Sequence, residues 1–193
     1  MNFANKITIS RIFIMPIFAI SLEMQGFFWG ILSLICFLYA TFSDWLDGYL
    51  ARKNNLVSDF GKFIDPLADK IFVCAAFISF VKNPKLHISA WMVTLIVARE
   101  LLITGLRTLA VSKGVVLAAQ KSGKYKTAFQ LIGIFLIILV SFIYDLEYSS
   151  KFILKQNITN IVRLIPIYVT WFLVIFTTYS GVDYLYNNRK LIN

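Results

Sequence analysis

The stretch D-W-L-D-G-Y-L-A-R at 44–52, followed after eight residues by G-K-F-I-D-P-L-A-D at 61–69, puts four aspartates inside two consecutive apolar runs. An aspartate in the middle of a bilayer costs on the order of 3 kcal/mol on insertion scales, so four of them call for a compensating cation or an aqueous cavity. At about 100° per helical residue, Asp44, Asp47, Gly48 and Ala51 fall within an arc of about 100°, and Gly61, Asp65 and Asp69 within about 80°. Each set therefore shares one face of its helix. A short connection between the two runs predicts an antiparallel hairpin that brings the acidic faces together. With oxygen donors only and no His or Cys nearby, the set points to a hard cation, Mg²⁺ or Mn²⁺. Four carboxylates suffice for two ions, which can clamp a diphosphate during in-line displacement at phosphorus. Gly48, Ala51 and Gly61 leave room on the same face, and Arg52 offers a planar fork of donors to a phosphate. Pro66 predicts a disturbance in the first turns of the second run. The competing reading pairs the aspartates with Lys62, Lys70 and Arg52 as structural ion pairs.

Working outward, the 193 residues are 59% hydrophobic and 15% charged, with a mean hydropathy of +0.73, too apolar for an ordinary soluble domain. Long apolar runs predict helices at about 7–25, 27–51, 62–81, 87–112, 125–144 and 160–186. The expected fold is an all-α polytopic membrane protein of six transmembrane helices, forming one domain over 1–193. The first run is read as a retained helix, because Thr8 and Arg11 interrupt its start and no small-residue cleavage site follows Met24. A polar segment from Asp145 to Asn160 is read as a linker. Cys36 and Cys74 lie in apolar stretches, which supports neither a disulfide framework nor a thiolate metal site. His87, the single histidine, is given no catalytic role.

The net charge of +9 favours anionic partners such as lipid head groups and phosphates, while so little soluble surface argues against nucleic acid. With six spans, the side that carries both termini collects twelve of the basic residues and the opposite side five, so both termini are expected in the cytoplasm. A second polar cluster lies in the fourth run. Glu100, Thr104 and Arg107 form one stripe at i, i+4 and i+7, and Arg99 sits about 80° from Arg107, so both arginines can line one cavity. Lys124 and Lys126 follow at the mouth of the fifth run. A basic pocket beside an acidic metal site suits an acceptor that carries its own phosphate.

Every fixed position of 44–69, spacer included, matches the D-x-x-D-G-x-x-A-R-x8-G-x-x-x-D-x-x-x-D signature, and the chain resembles the CDP-alcohol phosphotransferases. The resemblance implies that family's six-helix membrane fold and transfer of a phosphatidyl or similar group from a CDP-linked lipid to an alcohol, releasing CMP. It implies metal on Asp44, Asp47 and Asp65, with Asp69 as general base near a metal. It also implies Gly48 and Ala51 bordering the nucleotide, with Arg52 on its phosphates. A-R-E-L-L-I-T-G-L-R at 98–107, G-K-Y-K-T at 123–127 and N-F-A-N-K-I-T-I-S-R at 2–11 are similar to family members that join CDP-diacylglycerol to sn-glycerol 3-phosphate. In that reading Arg99, Arg107, Lys124 and Lys126 hold the acceptor phosphate, and Asn5, Thr8 and Arg11 face the nucleotide. A homodimer in the bacterial inner membrane, with its site toward the cytoplasm, is implied as well. Ala4 departs from the proline usual before the asparagine, which alters chain stiffness more than chemistry. An inositol-phosphate acceptor and, outside the family, a divalent-cation transporter are the alternatives.

Overall fold

Six helices of mainly apolar residues form the described part of the molecule: α1 Phe3–Glu23, α2 Phe27–Asn54, α3 Asp59–Lys82, α4 Ala90–Ser112, α5 Lys121–Ser150 and α6 Gln156–Asn187. A short 3₁₀ turn at Pro84–Leu86 precedes α4. The computed structural model describes the backbone of residues 3–54, 59–112, 121–150 and 156–189, and the side chains of 7–46, 67–110, 123, 125–146 and 161–189. Among the described residues there is no strand.

Most helices outrun the apolar segments that predicted them, because the backbone ladder continues into the polar interface where hydropathy falls. The supposed linker from Asp145 to Asn160 is mostly helix, with α5 running to Ser150 and α6 starting at Gln156. Nor does Pro66 interrupt α3, which is one helix from Asp59 to Lys82. Only α4 starts later than expected. There Asn83 caps the 3₁₀ turn by accepting the Lys85 N–H on its side-chain oxygen at 3.1 Å, and His87 turns left-handed at φ 52°, which ends that turn before α4 can begin. At Gly26, φ is +124°, a conformation that glycine adopts without strain and that lets the chain reverse between α1 and α2.

Among the described residues, helices α2 and α3 each make their most extensive contacts with α1. Phe18 of α1 stacks on Phe72 of α3 at 4.7 Å between ring centroids, and Phe37 of α2 reaches the same ring from 6.1 Å. Such aromatic pairs contribute about 0.5–1.5 kcal/mol beyond area burial. Farther round, α2 packs on α5, α5 on α6 and α6 on α4, so one apolar cluster runs through the described helices. Cys36 and Cys74 are both free.

The outer surface is apolar. Phe13 is 74% exposed, Tyr168 66% and Ile175 63%, an arrangement that water does not tolerate over a whole surface and hydrocarbon does. By length and composition three helical segments among the described residues can cross a membrane: Phe27–Leu46, Tyr125–Leu146 and Ile161–Asn187. The other three helices have 21 to 24 residues, roughly 31–36 Å at 1.5 Å per residue, comparable to a bilayer core. In α3 and α4 apolarity is diluted by the charges that build the site.

Candidate active site

Arg11 sits on the face of α1 that turns toward both α2 and α3, and its side chain is almost wholly buried. Its Nη1 donates to Asp44 Oδ1 at 2.6 Å and to Asp69 Oδ1 at 3.0 Å. One guanidinium nitrogen thus joins carboxylates contributed by two helices. Both aspartate side chains are about half exposed, at 50% and 49%, so each keeps oxygen lone pairs open. They border a cavity of about 130 Å³ whose wall also includes Thr41, Lys70 and Gln130. Thr8, one turn before Arg11, is buried. Among the described residues the cation that pairs with these two acids is Arg11, and Lys70, one of the three named in the competing ion-pair reading, donates to Glu100 instead. The side chains of the other two, Lys62 and Arg52, lie outside the described residues.

The donor set fits a hard divalent cation. A single nitrogen touches both carboxylates, so the two acids converge closely enough to share one small ion, and every donor is an oxygen. Asp47, Gly48, Ala51 and Arg52 lie on α2 and Gly61 and Asp65 on α3, but their side chains are outside the described residues, as are those of Asn5 and Lys124.

A second, smaller cavity of about 50 Å³ opens beside the first, between α3, α4, α5 and α6. Its floor is Glu100, 1% exposed. Glu100 Oε2 accepts from Lys70 Nζ at 2.5 Å, Oε1 pairs with Lys126 Nζ, and Oε1 also lies 3.5 Å from Arg99 Nη1 and 3.4 Å from Gln130 Nε2. A carboxylate this deep is tolerable only with such partners. Arg99 Nη2 donates to Ser180 Oγ on α6 at 2.9 Å, and the Arg107 guanidinium lies over the Tyr184 ring at 5.4 Å. The structure therefore brings Arg99, Arg107 and Lys126 to one cleft, as the helical wheel predicts for the two arginines. Lys126 is itself buried and spends its charge on Glu100.

Lys70 and Thr127 line both cavities, so the two share a wall. Sequence reasoning missed that role for Lys70, although a lysine directly after Asp69 within an apolar run was a visible signal. Ser180 and Tyr184 on α6 carried no local signal, being a serine and one of nine tyrosines.

Apolar helices around a convergent carboxylate pair, with a basic cleft alongside, define a helical integral-membrane protein equipped to hold phosphorylated ligands. The chain belongs to the CDP-alcohol phosphatidyltransferase family, whose sequence model matches residues 1–179. It is 38% identical, over 99% of its length and 97% of the relative's, to a Bacillus subtilis (strain 168) protein named CDP-diacylglycerol–glycerol-3-phosphate 3-phosphatidyltransferase. A Mycoplasma genitalium protein of the same name is 33% identical over 98% of this chain and 77% of its own. One from Rickettsia felis, again so named, is 32% identical over 93% and 92%.

Proposed function

We propose that the chain transfers the phosphatidyl group of CDP-diacylglycerol to sn-glycerol 3-phosphate, giving phosphatidylglycerophosphate and CMP. The observation that carries this reading is the shared wall: a carboxylate pair in one cavity stands directly beside a cleft lined by Lys70, Arg99, Arg107 and Lys126 around a single acid, Glu100. A donor diphosphate and a phosphorylated acceptor need those two environments side by side. The names of the relatives support the same pairing of substrates.

Asp44 and Asp69, with Asp47 and Asp65 from the signature, would hold one or two Mg²⁺ or Mn²⁺ ions, which supply charge neutralisation for a diphosphate. Gly48, Ala51, Arg52, Gly61, Asn5 and Thr8 are assigned to the CDP-lipid, with Arg52 donating to its phosphates. Arg99, Arg107, Lys124 and Lys126 are assigned to the acceptor phosphate. Arg11 fixes the direction of the Asp69 carboxylate, which takes the proton of the acceptor's primary hydroxyl. The freed oxygen forms a bond to the β-phosphorus as the bond from that phosphorus to CMP breaks. The charge bias supports a site on the cytoplasmic side, and the reading takes the membrane to be the bacterial inner membrane, with 1–193 acting as one catalytic domain, paired as a homodimer among the lipids.

The test is CMP release by purified protein in detergent with CDP-diacylglycerol and Mg²⁺, offering glycerol 3-phosphate, inositol phosphate or serine. Release that depends on glycerol 3-phosphate is expected. Release only with another acceptor would keep the chemistry and discard the acceptor assignment. No release, combined with metal flux in proteoliposomes, would replace the enzyme with a transporter.

A further inference from the structure

The wall that α6 gives to the basic cleft carries a group to which the mechanism above assigns no task. Tyr184 is 3% exposed and lines the cleft, and its buried hydroxyl has no hydrogen-bond partner among the described residues. A phenol in that state costs free energy unless a ligand or water completes it. The Arg107 guanidinium lies over its ring at 5.4 Å from the centroid. Of the three other hydroxyls along the cleft, two are engaged, since Ser180 Oγ accepts from Arg99 and Thr127 Oγ1 donates to the Gly123 carbonyl at 3.2 Å, while the third, Thr104, is half-buried and open to water.

The division of labour follows from charge. Even with Lys70 and Lys126 paired to Glu100, the guanidinium groups of Arg99 and Arg107 bring enough N–H donors to the cleft for the peripheral oxygens of one phosphate, so a neutral phenol is not needed there. It suits a neutral partner. Glycerol 3-phosphate carries one hydroxyl besides the one that reacts, on C2.

We propose that Tyr184 is a specificity-determining residue, its buried hydroxyl hydrogen-bonding the free secondary hydroxyl of a phosphorylated polyol seated among the four cations. The assignment rests on the acceptor reading given under the proposed function. The experiment compares glycerol 3-phosphate with 3-hydroxypropyl phosphate, which keeps the phosphate, the spacing and the reacting primary hydroxyl but lacks the hydroxyl on C2. Wild-type protein is expected to favour glycerol 3-phosphate by about tenfold in kcat/KM, mostly through KM, as one neutral hydrogen bond allows. In Tyr184→Phe the preference should collapse toward one, through loss with glycerol 3-phosphate alone. An equal loss with both acceptors, or no loss with either, would overturn the assignment. So would a wild type that does not distinguish them, a measurement that needs no variant to fold. Wild-type protein that releases CMP with neither acceptor would overturn the acceptor reading itself, and Tyr184 with it.

Discussion

Arg11 meets Asp44 and Asp69 through one nitrogen, so substitutions at these three positions have separable consequences. Asp69→Asn keeps the size of the side chain but removes its ability to take a proton. CMP release is expected to fall by at least about a hundredfold, as for loss of a general base, while the protein still elutes as a folded species from detergent. Arg11→Ala leaves the carboxylates folded into place but unaimed. Since misplacement of a reacting group by about 1 Å can cost on the order of a hundredfold, a loss of that size is expected in the same assay, and Arg11→Lys should recover part of it by restoring charge without the fork. The acidic residues were legible because helical spacing alone puts Asp44 and Asp69 on the site faces of their helices. Arg11 was legible as a polar interruption of the first run and, by resemblance, as a residue facing the nucleotide, but not as a partner of the two acids. Periodicity tells which face of a helix a residue occupies but not which helix that face meets, and the bridge between two acids is a fact about neighbours. The orphan hydroxyl of Tyr184 lay further out of reach for the same reason.

At the scale of elements, the extent to which α1 packs on both α2 and α3 is the feature that the apolar runs could not announce. Helices that are hydrophobic all round have no distinctive stripe to choose a partner. Close approach is instead dictated by small residues at particular points. A Cβ added at Gly133 of α5 would stand 2.7 Å from Leu173 Cδ1 and 3.1 Å from Val169 Cγ1 of α6. Gly133→Val is therefore expected to push α5 and α6 apart and cost about 1–3 kcal/mol, seen as a lower thermal midpoint in detergent. Gly105 of α4 makes the control, because a Cβ there meets nothing within 4 Å. Gly105→Ala should leave the midpoint unchanged or raise it, given the better helix propensity of alanine. Helix ends were read too short wherever polar residues continue a helix past its apolar run. The left-handed His87, which delays α4, had no counterpart in hydropathy at all.

For the whole molecule, the apolar outer surface and the one-sided basic residues together set how the protein sits in a bilayer. The 3₁₀ turn holding Lys85 and the segment after α6 holding Arg189 are expected on opposite faces of the membrane. With Cys36 and Cys74 replaced by alanine, Lys85→Cys should react with an impermeant maleimide in sealed right-side-out vesicles, and Arg189→Cys only after the vesicles are opened. The reverse pattern would invert the orientation and move the site to the other face. Membrane character was the easiest property to read, since composition alone carries it, whereas the path of the helices round one another depends on contacts that no single segment contains.

Lys70 belongs to both cavities, and its chain neighbour Asp69 to the first. Lys70 already donates to Glu100, so its charge is not wholly free for either cavity. On the proposed reading two anions would face each other across this wall and repel. By thermodynamic reciprocity the acceptor would then loosen the donor by the same factor as the donor loosens the acceptor. The ternary complex would be held less tightly than its two halves imply, which eases release of product once CMP has formed.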